Sequence, residues 1–190
     1  MDVVLSVVQP EEMALDPAET PGPARVEALF HEHYGRFVGL LARLTGDRGH
    51  SEEIASDVFH KLSKHPAMLA SEDPTAWLYR VATNAGLDAL RTNSRRRRRE
   101  ETAGADLHQA SGQPNALDQL LAAERAARVR DVLALLKPRD AQLLLLRSSG
   151  LAYRELAATI GVEAASVGTL LARAEAEFER KFRSRYGESV

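Results

Sequence analysis

The chain has 190 residues, 44% of them hydrophobic and 27% charged, with a formal net charge of −2. This allows one large domain or two small ones with a packed core, and the lack of cysteine excludes disulfides, thiolate nucleophiles and thiolate metal sites. No apolar run approaches the roughly 20 residues that span a bilayer. The first twelve residues lack a basic region and a cleavage site, so we expect a cytoplasmic protein with no signal peptide and no membrane association.

Charge is unevenly distributed along the chain. Residues 1–60 carry 4 Lys/Arg against 11 Asp/Glu, residues 61–99 carry 9 against 3, and residues 100–190 carry 12 against 13. An acidic first part followed by a basic middle part indicates two different partners, one of them polyanionic. The alternative is that the arginines only form a solvated surface.

The N-terminal part is interpreted as a tail followed by two helices. Residues 1–24 hold four prolines among many acids and are predicted to be a disordered acidic tail. Ser51 is the expected N-cap of the second helix, with Glu52 and Glu53 in its first turn. Apolar residues recurring at helical spacing form the predicted inner faces: Leu29, Phe30, Phe37, Leu40, Leu41 and Leu44 in the first helix, and Ile54, Val58 and Leu62, with Phe59 alongside, in the second.

The next helix follows a predicted loop over residues 66–73. Asp73 as N-cap and Pro74 at the first helical position are its start signal. One face, predicted to pack, carries Leu78, Ala82, Ala85 and Ala89. The opposite face carries a row of polar side chains headed by Trp77, and five consecutive arginines end the segment: Arg80, Asn84, Asp88, Arg91 and Arg95–Arg99.

The second half of the chain is predicted to be helical as well. Residues 99–117 lack periodicity and are rich in Gly, Ser, Gln, Asn and Pro, which indicates a flexible linker. Helices resume and break at Lys137-Pro138, Gly150 and Gly161. No segment alternates like a strand. We therefore predict an all-α fold of two helical domains, residues 25–98 and 118–186.

The last helices have helix-turn-helix spacing. Leu156 and Ala157 face inward on one helix, a tight turn follows at Gly161, and Val167 and Leu171 anchor the next helix. In such units the second helix lies in the DNA major groove. Short helix pairs with a glycine turn also occur in purely structural bundles, so this motif alone leaves both interpretations open.

Together these motifs resemble extracytoplasmic-function (ECF) sigma factors, a family of bacterial transcription initiation factors. The resemblance covers residues of about 25–98 and 117–183. "GDRGHSEEIASDVFHKL" is similar to the family's polymerase-binding helix, "DPTAWLYRVATNAGLDALR" to its minus-ten helix, and "LKPRDAQLLLLRSSGLAYRELAATIGVEAASVGTLLARA" to its C-terminal promoter-reading domain.

The resemblance implies a factor that brings core RNA polymerase to promoters and helps to open the minus-ten element. Carboxylates can pair with partner arginines, aromatic rings can stack on bases, and arginines can hold phosphates. The implied polymerase contacts are Glu52, Glu53, Asp57 and Phe59. The implied minus-ten contacts are Trp77, Arg80, Asn84, Asp88, Arg91, Arg95, Arg96, Arg97, Arg98 and Arg99. The implied minus-thirty-five contacts are Arg154, Ala165, Ser166, Thr169 and Arg173.

The resemblance also implies an anti-sigma factor as a partner, a role in stress response, and a monomer when off the polymerase. The sequence departs from the family at two places. Ser56 stands where the family usually has glutamine, and Gly168 and Leu170 occupy positions that are often basic. The last helix is therefore weakly basic, and phosphate contact there depends on Arg173, Arg154 and residues 180–185.

Catalysis is not expected. The six histidines form no recognisable metal set, and no HExxH, P-loop or GxGxxG motif occurs, so we predict no enzyme activity, cofactor or metal. Two alternatives to the sigma factor remain: a helix-turn-helix regulator that binds DNA without polymerase, and a helical adaptor that binds only proteins.

Overall fold

The computed structural model describes residues 22–102 and 116–187. Within these residues the chain forms α-helices and no strand, which confirms the all-α prediction. The helices are α1 (Gly22–Thr45), α2 (Arg48–Ser63), α3 (Pro66–Leu69), α4 (Pro74–Thr102), α5 (Ala116–Leu135), α6 (Pro138–Ser148), α7 (Tyr153–Ile160) and α8 (Ala164–Tyr186).

The N-terminal half is built around α1, which packs against α2 and α4. Phe37, Leu41 and Leu44 of α1 are fully buried, as their spacing predicts. Gly86 of α4 lies against them: a Cβ atom at this position would stand 2.6 Å from Cδ2 of Leu41 and 2.9 Å from Cδ1 of Leu44. A side chain at residue 86 would displace core leucines, so glycine lets the two helices approach closely.

The start of α2 differs from the prediction. Asp47, not Ser51, is the N-cap, and its carboxylate accepts a hydrogen bond from the backbone N–H of His50 at 3.1 Å. The helix begins one turn earlier than predicted, which places Ser51 inside the first turn. There Ser51 is buried, and its hydroxyl donates to the carbonyl oxygen of Asp47. Serine hydroxyls bond to nearby backbone groups both at helix caps and inside a first turn. The sequence alone therefore did not distinguish these two positions for Ser51.

The start of α4 agrees with the prediction, because Asp73 Oδ1 accepts a hydrogen bond from Ala76 N–H at 2.8 Å. The preceding segment contains the short helix α3, which the loop prediction missed. The predicted linker was wrong at both ends, since residues 99–102 continue α4 and residues 116–117 begin α5. The rest of that linker and nearly all of the predicted acidic tail, residues 103–115 and 1–21, lie outside the described residues.

The buried face of α4 is wider than predicted. Leu78 and Ala82 are fully buried, whereas Ala85 and Ala89 are only partly so. The reason is that α4 packs on two sides: on α1 and α2, and on α6 and α7 of the second half. The additional buried positions on α4 are Pro74, Ala76, Tyr79, Thr83, Gly86, Leu87, Leu90 and Ser94.

The C-terminal half consists of α5 to α8. Pro138 occupies the first turn of α6, and Gly161 ends α7 in the left-handed conformation with φ of 71°. Leu156, Ala157, Val167 and Leu171 are all buried, in agreement with the sequence pattern. Buried side chains of this half, including Leu143 and Leu146, belong to one hydrophobic core with those of α1, α2 and α4. The two predicted domains are therefore in contact.

Among the described helices, none taken singly is both long enough and apolar enough to cross a bilayer, although the bent pair α7 and α8 reaches the required length and composition together.

Candidate nucleic-acid interface

The acidic residues of α2 share one side of that helix. Glu53 and Asp57 are exposed and Glu52 is half-buried. Neighbouring side chains contact two of them: Arg48 Nε lies 3.0 Å from Glu52 Oε1, and His50 Nδ1 lies 3.3 Å from Glu53 Oε2. These exposed pairs cost little to separate. The surface can therefore exchange its own cations for those of a partner.

Two neighbours of these acids contribute differently from what the resemblance implies. Phe59 is only 4% exposed, and its ring lies 5.1 Å from that of Phe30 and 5.7 Å from that of Phe37. Phe59 therefore stabilises α2 from within the core, and its implied contact with polymerase stays a prediction. Ser56 is exposed, and its hydroxyl donates to the carbonyl oxygen of Glu52 at 2.8 Å. It presents a shorter polar group to a partner than glutamine does.

The outward face of α4 carries the polar row as predicted. Arg80, Asn84 and Asp88 are exposed on the surface opposite the core. Asp88, with 79% of its side chain exposed, lies 3.7 Å from Arg91 NH1. Trp77 is half-buried, packs against the core and lies 6.0 Å from the ring of His65. Its remaining exposed edge stands at the head of the row.

The five arginines of residues 95–99 point in different directions. All are exposed and all lie within α4, where successive residues are rotated by about 100°. Arg95, Arg98 and Arg99 therefore lie within about 60° of the direction of Asn84. Arg96 and Arg97 are about 120° and 140° away from it. Arg97 and Arg98 line a cleft of about 360 Å³ against α5 and α8.

That cleft holds charges of both signs. Arg128 NH2 lies 2.8 Å from Glu124 Oε1, and Arg185 NH2 lies 2.8 Å from Asp131 Oδ2. Nearby, burial lowers the pKa of Arg130, and the Arg97 charge lowers it further. Arg97 therefore lies near a like charge, Arg130, and also near two acids of α5, Glu124 and Asp131.

Helices α7 and α8 follow one another across a tight turn. The two helices are bent by 87° across residues 161–163, and N–H groups of Gly161 and Val162 bond to the carbonyl oxygen of Ala157 at 2.9 and 3.0 Å. The residues expected at the minus-thirty-five element are all exposed, on α7 and on the first half of α8: Arg154, Ala165, Ser166, Thr169 and Arg173.

Further along α8, the cations are paired with acids. Arg180 NH2 lies 2.7 Å from Glu177 Oε1, and Arg183 NH2 lies 2.6 Å from Glu179 Oε1. The hydrogen bond from Arg180 lowers the pKa of Glu177, so this carboxylate stays ionised. The tail expected to hold phosphates is therefore charge-compensated by its own helix.

Thr83 and Gln142 are buried between the two halves and hydrogen-bonded to each other at 2.6 Å. The pattern of apolar and charged residues did not predict this contact. The one available signal was Gln142 itself, a polar residue directly before a run of four leucines in α6. Among the described residues, no group of three or more His, Cys, Asp or Glu side chains is placed to hold a metal ion.

Comparisons with known proteins agree with one another. Residues 29–96 match the family model described as Sigma-70 region 2. The chain is 28% identical over 154 residues to the probable ECF RNA polymerase sigma factor SigI of Mycobacterium tuberculosis, covering 78% of this chain and 52% of that protein. It is 28% identical over 174 residues to the ferric citrate uptake sigma factor FecI of Escherichia coli, covering 90% of this chain and 98% of that protein.

A solved structure is similar as well: the sigma factor RpoE in complex with the anti-sigma factor NepR from Bartonella quintana, with a TM-score of 0.48 and 16% identity, covering 83% of this chain and 96% of that one. The chain spans about half the length of SigI and of the ECF RNA polymerase sigma factor SigE of Mycolicibacterium smegmatis. The matched region contains both the acidic face of α2 and the polar row of α4. Residues 29–96 thus match a sigma-70 region 2, and the chain is similar to ECF sigma factors over most of its length.

Proposed function

We propose that this chain is a transcription initiation factor that binds core RNA polymerase, directs it to promoters and helps to open the minus-ten element. The observation that carries the proposal is the Sigma-70 region 2 match over residues 29–96, which covers an exposed acidic face and an exposed polar row on two different helices. The proposed role is non-catalytic, and it places the protein in the cytoplasm with polymerase.

Polymerase binding is assigned to α2. Glu52, Glu53 and Asp57 form its acidic face, and a basic surface of the polymerase would replace the local cations Arg48 and His50. Charge complementarity of this kind speeds association and selects the partner. Phe59 is buried and supports this face of α2 from within the core.

Minus-ten binding is assigned to the outward face of α4. Trp77 can stack on an exposed base, and Asn84 can hydrogen-bond a base edge. Arg80, Arg95 and Arg99 can hold phosphates on the same side of the helix. Separating a base from its neighbours costs a few kcal/mol, and these contacts together offset that cost. Asp88 positions the Arg91 guanidinium and does not itself contact the DNA.

Minus-thirty-five binding is assigned to α7 and α8, and we expect it to be weak. Ser166, Thr169 and the N-terminal N–H groups of α8 can contact phosphates. Arg154 and Arg173 are the exposed cations of this surface. Arg180 and Arg183 pair with acids of the same helix, and Arg185 pairs with Asp131 of α5. Most of the affinity for promoters must therefore come from α4 and from polymerase.

A pull-down with purified core RNA polymerase tests the proposal. The tagged protein should retain polymerase in the absence of DNA, and the complex should then retain promoter DNA. Retention of DNA without polymerase would instead indicate a helix-turn-helix regulator. Retention of polymerase without DNA on any promoter would indicate an adaptor that binds only proteins.

A further inference from the structure

Two buried polar atoms lack a hydrogen-bond partner within the part of the chain that the structure describes. They are Nδ1 of His33 on α1 and Oγ1 of Thr159 on α7, in residues that are only 5% and 1% exposed. Native folds contain few such atoms, because a buried polar group without a partner is destabilising. Each of them needs an explanation, and the two lie at the same place.

His33 and Thr159 line a single cleft between α1, the first turn of α4 and α7. The cleft has a volume of about 280 Å³, just below the range of about 300–1,000 Å³ that is usual for small-molecule sites. Its size therefore suits a ligand of only a few non-hydrogen atoms.

The charged side chains around the cleft are mainly acidic. Three carboxylates line it, from Glu32 of α1, Asp73 before α4 and Glu155 of α7. Among the described residues that line the cleft, Arg36 alone is a permanent cation, so two negative charges are in excess. Burial lowers the pKa of His33, so its ring is neutral at neutral pH and does not reduce this excess. A concave surface with a negative excess attracts cations.

Two of the carboxylates are held in place and can still bind a ligand. Asp73 Oδ1 accepts a hydrogen bond from the N–H of Ala76 at 2.8 Å, and Glu155 Oε2 accepts one from the N–H of Ala152 at 2.6 Å. Each group thus uses one oxygen to stabilise a helix start. Its second oxygen is available to an incoming donor.

The two unpartnered atoms also require donors. His33 Nε2 lies 3.4 Å from Thr75 Oγ1 and 3.6 Å from Glu32 Oε1, so we assign the ring proton to Nε2 on the basis of these contacts. Nδ1 of the neutral ring is then an acceptor, and Oγ1 of Thr159 can accept as well. An ammonium group offers three donors and no acceptor. The described residues include no group placed to hold a metal ion, which favours an organic cation.

We propose that this cleft binds a small organic diamine, with one ammonium group among Glu155, Thr159 and His33 and the other between Glu32 and Asp73. Two ammonium groups balance the two excess negative charges. Glu155 and Thr159 are four positions apart on α7 and therefore lie on one face of that helix. This site is additional to the proposed function, and its binding can be measured without polymerase or DNA.

Charge changes in the cleft give opposite predictions. Glu155→Gln keeps an acceptor for the Ala152 N–H, as glutamine does in a capping box, but removes one negative charge. Diamine affinity should then fall roughly 5-fold or more. Arg36→Gln removes the opposing cation, and the affinity should rise by a similar factor. Glu175→Gln makes the same charge change as Glu155→Gln at an exposed position on α8, and it should bind like the wild type.

The buried hydroxyl of Thr159 has a test of its own. Thr159→Val removes the hydroxyl and keeps the shape of the side chain. Because the hydroxyl has no partner within the described structure, its loss should not lower the unfolding temperature of the free protein, whereas the diamine affinity should fall. A lower unfolding temperature with unchanged affinity would show that the hydroxyl is purely structural, and would overturn its place in the site.

A titration of the full chain with 1,4-diaminobutane, followed through backbone amide NMR signals, measures the binding. The signals of Thr75 and Thr159 should shift and saturate together. Glu53 and Asp57, exposed acids of α2, report any general attraction of the amine to carboxylates, and their signals should not follow the same curve. Sodium chloride at equal ionic strength should not reproduce the shifts.

Butylamine distinguishes two sources of an ammonium group, because it carries one such group, as a lysine side chain of a partner protein does. It should bind roughly 5-fold more weakly than the diamine, or worse. Equal affinity would assign the cleft to a lysine side chain and overturn the diamine. If Thr75 and Thr159 showed no saturable shifts, or if Glu53 and Asp57 shifted equally, the amine would only screen acidic groups and the site would be overturned.

Discussion

At the scale of single residues, α4 separates its arginines into two groups. Arg95, Arg98 and Arg99 project on the side of Asn84, whereas Arg96 and Arg97 project away from it, since a helix rotates by about 100° per residue. Arg98 also lines the cleft against α5 and α8. Only the first group can contact the same DNA strand as the polar row. A run of five arginines is therefore not a single phosphate-binding surface.

Salt dependence tests this division. Replacing Arg95 and Arg99 together with alanine should reduce the slope of log affinity against log salt by about 1.4–1.8, at roughly 0.7–0.9 for each phosphate that is no longer neutralised. The matched control, Arg96→Ala with Arg97→Ala, removes the same charge and should change the slope by less than half as much. Binding of the polymerase complex to forked promoter DNA at several salt concentrations is the measurement. Equal changes in the two variants would show that only total charge matters.

Asn84 should act on specificity and not on salt dependence. A base-edge contact is worth roughly 1–3 kcal/mol of discrimination, so Asn84→Ala should lose preference among minus-ten variants while keeping the wild-type salt slope. Competition between matched and altered minus-ten sequences measures the preference. If Asn84→Ala discriminates as well as the wild type, base recognition lies in the loop before α4.

His33 should make the fold sensitive to acid. The side chain is 5% exposed, with Nδ1 unpaired within the described structure. Burial lowers its pKa below 6.5; Glu32 raises it in part and Arg36 lowers it further. The unfolded chain takes up a proton near pH 6.5, and the folded chain does so only at lower pH. The stability from neutral His33 is thus complete above pH 6.5 and is lost as pH falls through the folded pKa.

The measurement is urea unfolding at about pH 7.5 and about pH 5.5, on either side of the ordinary histidine pKa. His33→Gln should lose less stability between these two values than the wild type. The exposed His31→Gln is the control, and it should behave like the wild type. A pH dependence in His33→Gln equal to that of the wild type would assign the acid sensitivity to other groups.

At the scale of helices, α2 shows how one element serves the core and a partner at once. Ala55, Val58 and Leu62 are buried, while Glu53 and Asp57 project to the other side. Charge reversal on the outer side should therefore leave the helix intact, because it alters no core contact.

Glu53→Lys with Asp57→Lys should weaken binding to core polymerase by roughly 10-fold or more, since it replaces attraction with repulsion at a basic partner surface. Helical content by circular dichroism should be unchanged. Glu27→Lys with Glu175→Lys is the control of equal charge, at exposed sites on α1 and α8, and should bind like the wild type. If the two double variants compete equally well for polymerase, α2 is not part of the interface.

The sequence predicted most of the helices because their signals are local. Asp73 and Pro74 define the start of α4, and Gly161 defines the end of α7, through backbone preferences that do not depend on the rest of the fold. The error at Ser51 has the same origin: a serine before two glutamates looks like a cap, but Asp47 is available one turn earlier and caps the helix instead.

At the scale of the whole molecule, prediction from sequence was less complete. The outward residues of α4 follow from helical period alone, so Asn84 and Asp88 were placed correctly. The second buried face of α4 could not be found in that way, because it depends on which helices of the distant half pack there. Thr83 and Gln142 are 59 positions apart, and no local rule connects them.

The distribution of charge is also a property of the whole molecule. An acidic α2 and a basic end of α4 lie on one half of the molecule, while α8 compensates its own cations. The protein can therefore present one sign of charge to polymerase and the other to DNA with a net charge of only −2. This separation is what the account requires of a factor that connects the two partners.

Transcription in vitro on a library of promoter templates tests whether the protein directs polymerase to promoters. Core RNA polymerase alone and polymerase with this protein are compared on the same templates in single-round reactions. We expect the protein to direct initiation from a subset of templates that share a minus-ten sequence. Asn84→Ala should change which templates are used. If no template gives more transcript with the protein than with core polymerase alone, the chain does not act as an initiation factor.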